Sequence, residues 1–241
     1  MSHFNEKIYI PQVSIDCVIF GYSKGVLNVL ITKVLNQFET YALPGGFIKQ
    51  TESLQEAAHR ITLERTGIDH IYLDQFSTFG NTDRYNEAII QQISEEWLQE
   101  RGISSSLDEF RQWFNRRFIS IGFYALLDIR QVILKKSPFD QSLAWYSIHE
   151  LPGLIMDHNQ ITLAALESLR QDFDRKQMAF PLLPETFTMR SLQEVYEAVF
   201  DRPLARNNFQ KKMLDLNILE RLEKVYSGAA HKAPYLYRLK K

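Results

Sequence analysis

Apolar residues recur along the first two thirds of the chain at two different periods, and the switches between those periods outline the predicted elements. Runs of β-branched and apolar residues at 13–22 and 27–34 flank Gly21-Tyr22-Ser23-Lys24-Gly25 and predict two strands joined by a turn. Tyr41-Ala42-Leu43-Pro44 then leads into Gly45-Gly46, read as a glycine turn ahead of a helix. From Ser53 the period becomes helical, with Leu54, Ala57, Ala58 and Ile61 on one face, and it stops at Thr66-Gly67. Further strands are predicted at 70–79, 118–128 and 145–148, and an amphipathic helix over 161–173 through Ile161, Ala164, Ala165, Leu169 and Phe173. Strands mixed with a crossover helix predict an α/β fold.

Between 86 and 117 the strand pattern is interrupted. Ile89, Ile90, Ile93, Trp97 and Leu98 keep a helical spacing, and so do Leu107, Phe110, Trp113 and Phe114 after Gly102-Ile103-Ser104-Ser105-Ser106. The segment is too long and too periodic for an ordinary loop and predicts an inserted helical hairpin. A lid packed on its own domain, a dimer contact and a ligand gate all remain open for it.

The pattern breaks again at Phe180-Pro181-Leu182-Leu183-Pro184, which predicts a domain boundary. Beyond it, Ser191 with Glu194 three positions on has the form of a capping box ahead of Leu192, Val195, Tyr196 and Val199. A second helix over 205–216 buries Phe209, Met213 and Leu216, and exposes Arg206, Asn207, Asn208, Gln210, Lys211 and Lys212. Strands at 218–225 and 235–239 enclose a segment carrying His231 and Lys232. Helix, turn, helix and a hairpin with a basic tip is the order of a winged helix-turn-helix, and Arg, Lys, Asn and Gln are side chains that hold phosphates or read base edges. Taken singly, each of those side chains also fits a solvated helix face.

Charge supports this division. The net charge is −1, yet from 181 to 241 eleven Lys and Arg stand against seven Asp and Glu, a net of +4. A basic end on an acidic body fits a polyanionic partner, here duplex DNA. With 45% apolar residues in 241 the chain has ample material for its cores. One cysteine, Cys17, excludes an internal disulfide and a cysteine-based zinc site. Its apolar neighbours predict a buried small side chain. The sequence contains neither a membrane-spanning apolar run nor a start of signal-peptide form, and a cytoplasmic location with no membrane partner is expected.

The chemistry is concentrated at Gly46, five residues, Glu52, seven residues, Arg60, then Ile61 to Ile68. This spacing resembles the Nudix box, G-x5-E-x7-R-E-U-x-E-E-x-G-U, matching at Gly46, Glu52, Arg60, Glu64, Gly67 and Ile68. The resemblance implies an α/β/α sandwich and, in the family's pyrophosphohydrolases, carboxylates at the positions of Ile61, Glu64 and Arg65 that collect magnesium on one helix face. Here one of the three is aliphatic and another a permanent cation, and a guanidinium beside the remaining carboxylate favours a salt bridge over a divalent metal. No metal and no cofactor is therefore expected, with Glu52, Arg60 and Glu64 as remnants of the catalytic set.

Taken with Leu182-Leu183-Pro184, Leu192-Gln193, Val195-Tyr196-Glu197, Asn208-Phe209 and Leu236-Tyr237, the whole chain outside 86–117 resembles the Nudix-related transcriptional regulators of bacteria. Some of these govern NAD metabolism and sense ADP-ribose-type ligands; others govern pentose (arabinose) use. The resemblance implies a sensor domain over 1–157, a linking helix and boundary over 158–184, and a DNA-binding domain over 185–241. It also implies a ligand-responsive repressor, acting as a homodimer on a palindromic operator. Gly45, Gly46, Phe47, Arg60, Glu64 and Arg84 are expected to meet a small-molecule effector, an ADP-ribose-like nucleotide or a sugar. The competing reading is a hydrolase of ADP-ribose-like substrates with residual activity through Glu52 and Glu64.

Overall fold

The first hairpin turns where a left-handed backbone costs least. Lys24 and Gly25 both take positive φ, 48° and 80°, the pair that a two-residue turn needs to match the twist of its strands. In the computed structural model, which describes residues 4–35, 39–69, 71–84, 87–224 and 233–240, this turn joins β1 (Tyr9–Ser23) to β2 (Val26–Leu35). There follow β3 (Thr40–Ala42), β4 (Gly45–Lys49), α1 (Leu54–Thr66) and β5 (Leu73–Phe79). Three short helices, α2 (Glu87–Ile90), α3 (Glu95–Glu100) and α4 (Leu107–Phe114), precede β6 (Ile119–Asp128), β7 (Ser142–Ser147) and α5 (His158–Asp172). The chain divides into two compact units, Met1–Gly21 with Asn28–Ser168, and Tyr22–Leu27 with Leu169–Lys241.

In the first unit the strands run β3-β2-β1-β6-β5, with β4 also on β1 and β7 also on β2. The core lies where Ile15, Cys17, Ile19, Leu30 and Ile48 meet Ala57, Ala58 and Ile61 of α1. Burial pushes the Cys17 thiol up to about 12, so it is the inert packed side chain that its neighbours suggest. Ser53 caps α1 by accepting from Glu56 N at 3.2 Å while Glu56 accepts from Ser53 N at 2.8 Å. Gly67, at φ 72°, closes the helix in the left-handed conformation. The glycine pair departs from expectation: Gly45 and Gly46 lie inside β4, paired with Asp16 and Ile15 of β1, and are no turn. A Cβ on Gly45 would stand 2.6 Å from the Ile15 carbonyl oxygen, so the glycine permits a close strand approach.

The interrupting segment is helical, in three pieces. Ile90, Ile93, Leu98, Ile103, Phe110 and Trp113 bury themselves in a second cluster with Phe4 and Leu35, so it packs on its own unit. Ser94 and Ser106 cap α3 and α4.

The second unit contains β8 (Phe187–Thr188), α6 (Met189–Phe200), α7 (Arg206–Asp215), β9 (Leu219–Lys224) and β10 (Tyr235–Leu239), its strands ordered β8-β10-β9. Leu192, Val195, Tyr196 and Val199 of α6 are buried, as are Phe209 and Met213 of α7. Leu216 is exposed, and Ser191 is not the cap of α6. Thr188 is: its Oγ1 accepts from Ser191 N at 3.0 Å, because pairing with Leu236 already holds Thr188 in the extended conformation of a cap. Glu194 instead receives Arg190 Nε at 2.8 Å. Among the described residues no helix is long and apolar enough to cross a membrane.

Candidate functional site

The charged residues that α1 carries toward the sheet are committed to other residues of the chain. Arg60 donates from Nε to Glu52 Oε2 at 2.9 Å and from Nη2 to Glu52 Oε1 at 2.5 Å and to the Phe47 carbonyl at 2.9 Å. The Arg60 guanidinium holds the Glu52 carboxyl below its ordinary value, aided by the Lys49 backbone N–H. Together they brace the chain between β4 and α1. Ile61 is fully packed, and Arg65, 6% exposed, donates from Nη1 to Asp140 Oδ2 at 2.8 Å. Asp140 is completed by Thr32 Oγ1 and Ser137 N, both at 2.6 Å. Glu64 is the exception: its side chain is 56% exposed and its ion pair, with Arg60 Nη1, is long at 3.5 Å. One solvated carboxylate is a poor magnesium site, and among the described residues no cluster of three or more His, Cys, Asp or Glu could hold a metal ion.

A second buried network lies beside the first. Arg84, 3% exposed, grips Asp157 with Nε (2.8 and 3.0 Å) and Asp16 with Nη2 (2.8 Å). Asp16 also accepts from Ser120 Oγ at 2.6 Å. His158, the first residue of α5, accepts the Leu43 N–H on Nδ1 at 3.0 Å, which puts its proton on Nε2, 3.8 Å from Asp16. Burial lowers the His158 pKa more than Asp16 raises it, and the ring is neutral.

These two networks and the helical segment line one cleft of about 580 Å³. Its polar wall includes Asp16, Gly45, Arg60, Glu64, Arg65, Arg84 and His158; its apolar wall is supplied by Phe47 and Phe118 with Ile89, Trp97, Phe110 and Phe114 of the segment. The volume suits a small organic ligand, and every sensor residue picked out by sequence lies on this lining.

In the second unit the polar positions of α7 face away from its buried stripe. Arg206, Asn207, Asn208 and Lys211 are exposed and Gln210 is partly so. Lys212 is exposed but engaged: its Nζ donates to Asp174 Oδ2 at 2.6 Å and lies 5.5 Å over the Tyr196 ring. The turn into α7 is locked by Glu197, which accepts Leu204 N at 2.7 Å, and by Gln193, which donates to Leu204 O at 2.9 Å. His231 and Lys232 lie outside the described residues.

Comparison with known proteins fits this division. The NUDIX domain model matches residues 10–166, well over half of the chain. The chain belongs to the Nudix family. The model of the NrtR DNA-binding winged helix domain matches residues 179–239 of the same Nudix protein. It is 26% identical over 235 residues, 95% of this chain and 82% of the relative, to the ADPR responsive transcriptional repressor NtrR of Acinetobacter baylyi. The crystal structure of Shewanella oneidensis NrtR superposes with a TM-score of 0.65 at 24% identity, covering 95% of this chain and 94% of that one. A MutT/nudix family protein from Enterococcus faecalis gives 0.65 at 17%, covering 96% and 88%. These two likenesses establish the shared fold.

Sequence reasoning missed the partners of this Nudix cleft. Asp16, Asp140 and His158 line its polar wall and Asp157 holds Arg84 of that wall, yet the aspartates lie 68 to 75 residues from the arginines they hold, and His158 lies 115 from its amide partner.

Proposed function

We propose that this chain is a ligand-responsive transcriptional repressor in which the Nudix domain, residues 1–157, senses an effector. Residues 158–184 link it to a DNA-reading domain over 185–241. One observation carries this reading: a family-matched DNA-binding winged helix is joined to a Nudix box whose metal positions hold a packed Ile61 and an ion-paired Arg65. The relative in Acinetobacter baylyi, described as ADPR responsive and a repressor, supports the same class. Arg206, Asn207, Asn208, Gln210, Lys211 and Lys212 of α7 contact DNA, and His231 and Lys232 of the second domain are proposed to do so too. The N-cap position of α7 is Ala205, which offers no side-chain cap, so the first-turn N–H groups suit a phosphate.

The effector is an ADP-ribose-like nucleotide ahead of a free pentose. It sits against the backbone of Gly45, Gly46 and Phe47 and is framed by Arg60, Glu64 and Arg84. Because Arg65 replaces a metal ligand, binding needs no magnesium, and hydrolysis of ADP-ribose stays far below the ~1 per second of an ordinary enzyme. The chain acts in the cytoplasm as a homodimer, since one winged module reads a half-site and a two-fold protein matches a palindrome.

The test is titration of duplex DNA, selected by the protein from a random pool, at fixed salt with ADP-ribose, NAD, ATP or L-arabinose. ADP-ribose is expected to weaken DNA binding about 5- to 150-fold, the range of ordinary allosteric coupling. No shift with any of the four would reduce the Nudix domain to a scaffold. Light scattering on the protein–DNA complex, finding one chain per duplex, would remove the dimer.

A further inference from the structure

The interrupting segment brings aromatic rings to the cleft that are packed on the second core cluster on one side and line the cleft on the other. Phe110 and Trp113 are buried and anchor it, whereas Trp97 and Phe114 stay half-buried and line the open space. Phe114 faces Phe47 at 5.7 Å and Phe118 at 6.2 Å between centroids, and Phe47 and Phe118 are 5.9 Å apart. The three rings thus form a triangle within the ordinary spacing of interacting aromatics. Lys49 and Arg116 line the same cleft. They differ from Arg60, Arg65 and Arg84, which pair with carboxylates that are at most 12% exposed. Arg116, its side chain 40% exposed, pairs at 3.4 Å with Glu6, itself 62% exposed, and an ion pair so solvated holds its arginine weakly.

We propose that the helical segment from residue 87 to 117 builds a ring subsite: Phe114, with Phe47 and Phe118, takes the flat nucleobase of a nucleotide effector, while Lys49 and Arg116 take its phosphate. This rests on the reading of the cleft as the effector site and names what the inserted helices add to it. A ring surface recognises any flat base by stacking, and a pair of cations beside it selects a base that carries phosphate. Phe114, Phe47 and Phe118 are only partly buried although they pack on the second core cluster, so each keeps ring surface facing the cleft.

Calorimetric titration of the full chain with ADP-ribose, AMP, ribose 5-phosphate and adenosine tests the subsite. AMP and ADP-ribose are expected to bind, with ribose 5-phosphate weaker by tenfold or more because it lacks the ring, and adenosine weaker because it lacks the phosphate. Phe114→Leu keeps the apolar volume and removes the ring. It is expected to weaken AMP and ADP-ribose about tenfold, the scale of one base–aromatic stack, and to leave ribose 5-phosphate unchanged; Phe118→Leu supplies the same test where the first variant does not fold. Ribose 5-phosphate binding as tightly as AMP, equal losses for ligands with and without a ring, or no binding of AMP or ADP-ribose at millimolar concentration would each overturn the proposal. Ring-dependent binding that leaves DNA affinity unmoved would refute the regulatory reading and keep the subsite. DNA release by a ligand whose binding ignores the ring would do the reverse.

Discussion

Two helices of this protein carry its most recognisable polar residues, and they use them in opposite ways. On α1, Arg60 and Arg65 are spent inside the protein, on Glu52 and on the nearly inaccessible Asp140. On α7, Arg206, Asn207, Asn208 and Lys211 project into solvent. A family motif therefore marks where side chains stand, while their partners decide whether they act on a ligand or brace a fold. A cation that already holds buried carboxylates is costly to move, because removing it strands charge in a low dielectric. An exposed cation is nearly free energetically and remains available to a polyanion. Substitutions in the first unit should accordingly be felt as stability, and those on α7 as binding.

The largest effect is expected at Arg84. Arg84→Met leaves Asp16 and Asp157 facing each other's vicinity without the guanidinium that both now hold. Loss of one partner of a buried pair typically costs about 3–5 kcal/mol. Urea unfolding is expected to show a loss of that size with little change in slope. A cost below about 1 kcal/mol would mean that this network does not frame the cleft, and the contrast between the units would lose its stronger half.

The double variant Arg206→Ala, Lys211→Ala sharpens the other half. Its stability is expected to stay within about 0.5 kcal/mol of the parent, the usual range for exposed positions. Its DNA affinity should fall tenfold or more, and the dependence on salt should flatten by about two phosphate contacts, roughly 0.9 in slope for each. Lys212→Ala provides an internal contrast: with its ammonium on Asp174 and the Tyr196 ring, it should lose less DNA affinity than Lys211→Ala. Equal affinity of the double variant and the parent would mean that α7 does not read DNA through this face.

What was legible in the sequence follows the same contrast. The α1 period with its start near Ser53 and its stop at Gly67, the helical period of the interrupting segment, the buried stripe of α6 and, apart from Leu216, that of α7 are local patterns, and local patterns can be read along a chain. The Nudix fold and the winged helix domain were legible through the box spacing and the order of elements. Three features were not. Thr188 became the cap of α6 because of its pairing with β10, nearly fifty residues later. Gly45 and Gly46 became strand because β1 lies against them. The partners of Arg65 and Arg84 were hidden, since nothing local announces that Asp140, and not the neighbouring Glu64, will take Arg65, or that Asp16 and Asp157 will take Arg84. The interrupting segment was readable as helix, but not as a cleft wall, because period alone does not say which aromatic rings stay partly open.

The smallest effect concerns His158, which belongs to the spent side of the comparison although it is uncharged. Its Nδ1 accepts the Leu43 N–H, so protonation there would set two donors against each other in a buried site. Burial and Arg84 lower its pKa below the ordinary 6.5, and Asp16 and Asp157, the carboxylates nearest to it, do not reverse this. In the unfolded chain the same imidazole takes up a proton as pH falls through about 6.5, whereas the folded protein binds it only at lower pH. The unfolded state then holds more protons, and stability falls with pH from about 6.5 downward, at most about 1.4 kcal/mol per pH unit, until the depressed folded value is passed. The stability contributed by Glu52, whose pKa is also lowered, is lost in a more acid window beginning near its ordinary 4.5, so the two can be separated. His158→Asn retains an oxygen acceptor for Leu43 and removes the titration. The variant is expected to lose most of the slope between about pH 6.5 and 5 while keeping its stability near neutrality within about 1 kcal/mol, the centre of the range for single substitutions. Parallel curves for parent and variant across that window would show that His158 is not held neutral by the fold, and the wall of the cleft at α5 would be softer than its hydrogen bonds imply.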